Sequence, residues 1–402
     1  MTRLPLLLAL CLPLLAPSAR AEISGNKVRI GVLTDMSGPF ADQVGPGSVA
    51  AAHLAADDFA AESRGLQVEI VAADHQNKPD VGSGIARRWF DTEGVDAIVD
   101  LPNSGVALSV ITVAQERHKT ALASSSLSSD ITGKACQNTT IQWVSDTWAQ
   151  GRSTVLGLKS QNLDKWYFIT VNYALGISLE ADATTALTSV GGSVKGSSRI
   201  PLGTTDFGSP LLQAQGSGAN VLAIATTGSD MINAIKQARE FGLSGTLTTA
   251  ALFIQLSDVE AIGLPVAQGL QFTSAFYWDL NDGTRAFARR FGVEMAGRMP
   301  TEDHAGVYSA TLAYLRAVRD AQTTVGEDVV AQMRKAPIAD SLFGQVSIRA
   351  DGRALHDMYR FRVKTPAESK AQWDLYQLLA TIPAAEAFRP MAEGGCKLVA
   401  GK

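Results

Sequence analysis

The side chains able to do chemistry in this 402-residue chain lie in short stretches that follow apolar runs. Five are polar lips: DMSGPFADQ (35–43), LPNSG (101–105), SSSLSSD (124–130), VNYALG (171–176) and TTGSD (226–230). A sixth stretch, AALF (250–253), stands at an equivalent place. Hydroxyls and free amides at the start of a helix suit an anionic group. One such cluster alone is an ordinary turn or helix cap. Five in register at strand ends point to a shared cleft, because ligands of open α/β sheets bind outside the carboxyl ends of the strands.

Turnover chemistry finds little support. There is no G-x-S-x-G elbow, H-E-x-x-H pair or phosphate-binding G-x-x-x-x-G-K-[ST] loop. Histidines 53, 75, 118, 304 and 356 are scattered without metal-ligand spacing. GPGSVA (45–50), with Asp74 at roughly the right distance, imitates a dinucleotide fingerprint. It contains Pro46, puts Ala50 for the third glycine, and sits too far beyond its strand for the tight turn that motif needs. No cofactor and no metal are expected.

The elements that position these lips read as strand–helix alternation. VRIGVLTD (28–35), QVEIVAAD (67–74), DAIVDLP (96–102) and TALASSS (120–126) alternate with helical patterns near 46–63, 80–93 and 105–117. Unbroken apolar runs of this kind suit parallel strands covered on both faces. The theme restarts with KWYFITV (165–171), GSVKGSSRIP (192–201), ANVLAIATT (219–227) and GTLTTAA (245–251), and with helices near 176–190, 206–216 and 229–241. After QGLQFTSAFYWD (268–279) comes a helical region, 284–336. GQVSIRA (344–350), HDMYRFRVK (356–364) and QWDLYQLL (372–379) read as late antiparallel strands. The fold class is therefore α/β, with two doubly wound Rossmann-like units and no long linker between them.

Bulk properties narrow the setting. Arg3, the apolar run Leu4–Ala16 and Ala19-Arg20-Ala21 form a secretory signal peptide over residues 1–21, cut before Glu22. The run is too short, and too interrupted by Pro5 and Pro13, to span a bilayer. Cys11 lies inside it behind Leu10, which rules out a lipoprotein anchor. Without Arg3 and Arg20 the chain carries 33 basic and 39 acidic residues, a net charge of −6. With no basic patch, nucleic acid is not an expected partner. Cys136 and Cys396 remain, and an even pair in an exported chain suggests a disulfide, with two buried thiols as the alternative.

VRIGVLTDMSGPFA, YALGISLEADA and DFGSPLLQAQGSGANVLAIATTGSD with the following AIKQAREFGL resemble the periplasmic leucine/isoleucine/valine-binding protein family, the solute-binding subunits of ABC importers. The resemblance runs from about Lys27 to the tail. It implies a type I periplasmic binding protein, a monomer whose ligand is enclosed between two lobes joined by three hinge crossovers. The crossings fall near Val144–Thr147, Thr273–Phe276 and His356–Arg360. Lobe 1 comprises residues 26–145 plus 275–356, and lobe 2 comprises 146–274 plus 357–402. The closed form is what an inner-membrane ABC permease recognises.

Carried over position by position, the resemblance assigns a ligand carboxylate to Asn103 and Ser104, then to Ser125, Ser126 and Leu127. Leu127 stands where the family has a threonine hydroxyl. Leu175, with Tyr173 two residues before, matches an aromatic that closes on the ligand. Ser37 and Thr227 sit on facing lips. Amino-acid binders place a carboxylate after GTLTTAA to pair with the ammonium, and this chain has Ala250-Ala251-Leu252-Phe253 there. A buried ammonium without a counter-charge costs several kcal/mol, so a small acid without an amine is expected. Asp230 and Asp303 are the possible substitutes. The YALG and FYWD forms resemble a subgroup that takes up aromatic acids, with Phe253, Phe276, Tyr277 and Trp278 near the rim or in the core. His304 and Arg199 are candidate partners for the ligand's carboxylate or phenol. Binding that survives from pH 6 to 8 fits serine and backbone donors, whereas a steep loss would point to His304. A branched-chain amino acid or amide binder, a ligand-sensing domain for a membrane receptor and an exported α/β enzyme are the alternatives. Neighbouring permease and ATPase genes, and recovery of unchanged ligand, separate them.

Overall fold

The computed structural model describes residues 23–399, so the signal peptide expected over residues 1–21 lies outside the described residues. The elements in chain order are β1 (Lys27–Thr34), α1 (Gly45–Ala60), β2 (Gln67–Asp74), α2 (Pro79–Asp91), β3 (Ala97–Asp100), α3 (Ser104–Glu116), β4 (Thr120–Ala123) and β5 (Thr140–Gln142). Then come α4 (Thr147–Lys159), β6 (Lys165–Val171), α5 (Ala174–Ser189), β7 (Ser193–Ile200), α6 (Gly208–Gly216), β8 (Val221–Ala225), α7 (Gly228–Glu240) and β9 (Thr248–Ala251). The last third holds α8 (Leu256–Ile262), α9 (Leu264–Ala267), β10 (Gln271–Ser274), α10 (Asp282–Glu294), α11 (Glu302–Ala321) and α12 (Gly326–Met333). It ends with β11 (Ile338–Asp340), β12 (Gly344–Ile348), β13 (Ala354–Leu355), β14 (Met358–Val363), β15 (Tyr376–Ile382) and α13 (Ala384–Ala387).

Two parallel sheets form the two lobes. The first has the order β2-β1-β3-β4-β5 and the second β7-β6-β8-β9. Strands β3, β4 and β8 are buried throughout, as their unbroken apolar sequences require. Edge strands β2 and β7 are half-exposed and carry Glu69, Lys195 and Arg199 accordingly. Close layer packing is built into β1: a Cβ at Gly31 would lie 2.3 Å from the Trp89 ring of α2.

The chain crosses between lobes three times. It leaves lobe 1 after β5 into α4, which packs on α5, and returns after β10 to α10 and α11, which pack on α1. It leaves again between β13 and β14. Strands β10, β14 and β15 form an antiparallel sheet whose Phe272, Phe361 and Tyr376 join the lobe 2 core. Two buried charged side chains, one carboxylate and one guanidinium, pin these crossings. Glu302 accepts from Ser145 N (3.0 Å) on the first, and from Ser274 Oγ (2.6 Å) and Ala275 N (3.2 Å) on the second. Buried Arg353, beside the third, donates to Val144 O and lies 3.6 Å from Asp146.

Two details depart from the sequence reading. The first sheet has a fifth strand, β5, whose three residues are too few to show a pattern. The last strand spans 376–382 rather than 372–379, because the chain turns at Trp373, whose φ is +72°, and sends that ring into the core. Cys136 and Cys396 form the expected disulfide, with Cα atoms 5.6 Å apart, fastening the tail to the loop after β4. A bond closing 260 residues removes unfolded-chain entropy worth about 5 kcal/mol in the chain-entropy model, and 2–5 kcal/mol is typical. The double variant Cys136→Ser/Cys396→Ser should unfold several degrees lower in a calorimetric scan, and an unchanged transition would show that the tail adds nothing to stability.

Candidate functional site

Asp35 follows β1 directly and builds the first lip. Its buried carboxylate accepts from Gly38 N (2.7 Å), Phe40 N (2.9 Å) and Asn77 Nδ2 (2.7 Å), which curls 35–44 into a tight loop. The lip after β3 begins with two residues in the left-handed region, Asp100 (φ +84°) and Leu101 (φ +64°). For a leucine that conformation is strained, and strain of this kind clusters at ligand sites. Asn103 then caps α3, its Oδ1 accepting from Gly105 N (2.9 Å) and Val106 N (3.1 Å). Ser104, Ser125 and Ser126 are buried together, with Ser126 Oγ 3.4 Å from Ser104 Oγ and Ser125 Oγ without a hydrogen-bond partner. Beneath them Asp100 is fully buried, and burial pushes its carboxyl up to about 6 against the opposing effect of the Ser125, Thr34 and Ser48 hydroxyls. None of those hydroxyls meets it in strict hydrogen-bond geometry.

The second lobe faces these lips across a closed interface. Tyr173 stands at the start of α5, its ring 6.4 Å from Phe40 and its buried hydroxyl without a partner. Burial, with the charges of Asp230 and Asp35 nearby, raises that hydroxyl well above the usual tyrosine range. Leu127 enters the lobe 2 cluster that holds Leu175 and Phe253. Ser128 Oγ meets Ser178 Oγ at 2.8 Å, and Asp182 accepts from Ser129 Oγ (2.8 Å) and Thr147 Oγ1 (2.6 Å). Gly228 touches lobe 1 directly: its φ is +62°, and a Cβ there would lie 2.3 Å from Pro39 O. Gln43 Nε2 spans the interface, donating to Thr227 Oγ1 (2.8 Å) and Asp258 Oδ2 (2.6 Å). Beside this contact a cavity of about 400 Å³ opens at the rim, bordered by Ser37, Gly38, Gln43, Ser229 and Asp258.

The structure brings Ser104 next to Ser126, places Leu127, Leu175 and Phe253 in one cluster on which Tyr173 packs, and sets Thr227 against Gln43, with Asn103 capping α3. Others lie elsewhere. Exposed Ser37 donates to Asp74 at the outer rim. His304 is committed to structure: Nδ1 accepts from Thr301 N (3.1 Å), Nε2 donates to Val44 O (3.0 Å), and burial lowers the imidazole to about 4. It has no free N–H for a ligand and does not titrate between pH 6 and 8. Trp278 donates to Trp373 O (2.8 Å), Tyr277 binds the same carbonyl, and Phe276 packs on Phe287 and Phe343, so Phe276 and Tyr277 are core and Trp278 packs half-buried against it. Arg199 pairs with Glu180 at 3.0 Å.

Two acids named only as substitutes are buried at the interface. Asp230 Oδ1 and Asp303 Oδ1 have no partner, and burial raises Asp230 to about 6 and Asp303 well above its ordinary range. Gln43 and Asp258 escape sequence reasoning, since a glutamine in a loop and an aspartate early in a short helix read as solvated or capping groups. Asp258 does cap α8, as Gln255 N donates to it at 2.9 Å, and burial raises it to about 7.

Two α/β lobes, three crossovers and an interlobe site define a type I periplasmic binding protein fold. A sequence profile described as periplasmic binding protein matches residues 27–371, and the chain belongs to that family of solute-binding proteins. A periplasmic binding protein from Burkholderia mallei is 40% identical with a TM-score of 0.91, covering 94% of this chain and 100% of its own. A branched chain amino acid ABC transporter periplasmic ligand-binding protein from Burkholderia xenovorans LB400 is 39% identical with a TM-score of 0.82, covering 92% and 99%. The R. palustris solute binding protein in complex with benzoate shares the fold at 19% identity and a TM-score of 0.81, covering 92% and 99%. A search of curated proteins finds no match.

Two expectations follow. Gly228→Val puts a side chain where Pro39 O stands and strains a positive φ, so the variant should stay folded by circular dichroism yet lose compaction in small-angle scattering; an unchanged radius of gyration would refute the tight contact. Asp258, with its carboxyl raised to about 7 in the closed form, takes up a proton on closure. That favours closure at low pH, and the gain is lost as pH rises through about 7. Ligand affinity should therefore fall several-fold between pH 5 and 7 and level off above. Asp258→Asn should remove that component, and parallel calorimetric profiles for the two proteins would count against it.

Proposed function

We propose that this chain is the periplasmic solute-binding component of an ABC importer. It captures a small carboxylic acid with an aromatic body between lobes 26–145 plus 275–356 and 146–274 plus 357–402. As a monomer it delivers that solute to an inner-membrane permease. The observation that supports the reading is that Ser104, Ser125 and Ser126 lie buried at strand ends of lobe 1, next to Leu127, which enters the lobe 2 cluster of Leu175 and Phe253 on which Tyr173 packs. Hydroxyl and backbone donors receive the carboxylate, and the aromatic and apolar side chains cover the rest of the solute. Closure around it is a hinge motion about the clamped crossings. The relation to the 39%-identical Burkholderia xenovorans protein, described as part of an ABC transporter, supports the importer role.

One observation favours an amino acid as the second reading. Asp230 and Asp303 each hold a buried carboxylate oxygen without a partner, and an ammonium group would satisfy either. The segment Ala250–Phe253 therefore does not by itself dispose of the counter-charge.

A thermal-shift screen of benzoates, phenylpropanoid acids and aliphatic amino acids decides between them. A ligand at a hundred times its Kd stabilises by about 2.7 kcal/mol. Aromatic acids are expected to raise the midpoint, and stabilisation by leucine or valine alone would move the assignment to the second reading. Ser125→Ala/Ser126→Ala should weaken the stabilising ligand about tenfold or more without unfolding the protein, and full affinity would place the anion elsewhere. Asp230→Asn and Asp303→Asn separate the readings again, since one of them should abolish binding of an amino acid whereas both should spare an aromatic acid.

A further inference from the structure

A cavity of about 900 Å³ lies away from the interlobe lips, between α4, α5, β14, β15 and the tail that follows. Its walls include Trp148, Leu156, Ile382 and Phe388, and its cationic groups are Arg152 on α4 and Arg360 on β14. Neither guanidinium forms a hydrogen bond or ion pair with any described residue, whereas Arg199, Arg285, Arg290, Arg298, Arg316, Arg319 and Arg362 all pair with acids. Arg360 is half-buried, its Nε is cut off from solvent without an acceptor, and its Nη1 would lie 3.0 Å from a Cβ at Gly157. Glu386 and Glu393 border the tail side of the cavity but pair with neither arginine.

A half-buried guanidinium without an acceptor is unfavourable in a folded protein, and a planar fork of donors matches a carboxylate or sulfonate. An aromatic and aliphatic wall beside it adds a place for an apolar body. We infer that this cavity is a second binding site, taking an amphipathic monoanion whose acidic head lies on Arg152 and Arg360 and whose apolar body lies against Trp148, Leu156 and Phe388. Serine and backbone donors make up the interlobe lips, so the two sites recognise an anion by different chemistry. Arg360 belongs to the third crossing and Arg152 to the helix that follows the first, so the occupant sits against the hinge.

The test uses the full exported chain and 8-anilinonaphthalene-1-sulfonate, an aromatic monoanion whose fluorescence rises on binding. The uncharged N-phenyl-1-naphthylamine serves as its comparison. Wild-type protein should bind the sulfonate, and Arg152→Met or Arg360→Met should each weaken it about tenfold or more. Ser125→Ala/Ser126→Ala should leave it unchanged, which keeps this result separate from that of the interlobe site. Arg152 stands on a partly exposed helix face, so its variant keeps the experiment decisive should Arg360→Met fail to fold. The proposal is overturned if both methionine variants that fold bind as tightly as wild type. It is equally overturned if the serine variant alone loses binding, or if the uncharged probe binds as tightly as the sulfonate.

Discussion

Glu302 holds the molecule in its working shape. Its one buried carboxylate receives Ser145 N from the first crossing and Ser274 Oγ with Ala275 N from the second. Arg353 and His356 then bind Val144 O and Trp143 O, bringing the third crossing to the same place. Two lobes joined by three strands can rotate as bodies only if the strands are fixed together at one end. A hydrogen-bonded knot of this kind supplies that fixed end, and the lips at the far ends of the strands are left free to meet.

Their meeting is polar and finely balanced. Gln43 with Thr227 and Asp258, Ser128 with Ser178, and Asp182 with Ser129 make direct contacts. A hydrogen bond formed in place of one to water contributes only about 1 kcal/mol net. Burial raises the carboxyl of Asp258, which Gln43 meets from the other lobe, and so opposes closure at neutral pH. A solute that touches both lobes selects the closed form by its differential affinity for it. A strongly apolar interface would have closed without it.

The lips themselves were legible because they depend on local grammar. An apolar run followed by Asp, Ser, Gly or Asn is a strand end and helix cap in almost any α/β chain, and Asn103 and Thr227 fall there as expected. The aromatics were not legible. Phe276, Tyr277 and Trp278 have the composition of a ligand rim, yet β10 and the turn at Trp373 direct them into or against cores. His304 follows the same rule: its ring serves Thr301 N and Val44 O, a carbonyl 260 residues away in sequence.

Composition and periodicity determined the two α/β units and the register of polar lips, since these follow from short-range pattern and solvation, whereas the class of protein was implied by the resemblance of its motifs to a known family. Which polar groups lose water, and which acids face each other, was decided only when the lobes came together. The lip DMSGPFADQ shows the division. Its turn is written in Asp35, Gly38 and Pro39, whereas its contact with Gly228 and the hold of Gln43 on Asp258 exist only because a second lobe meets it from across the cleft. Burial is a property of that meeting and of no single segment.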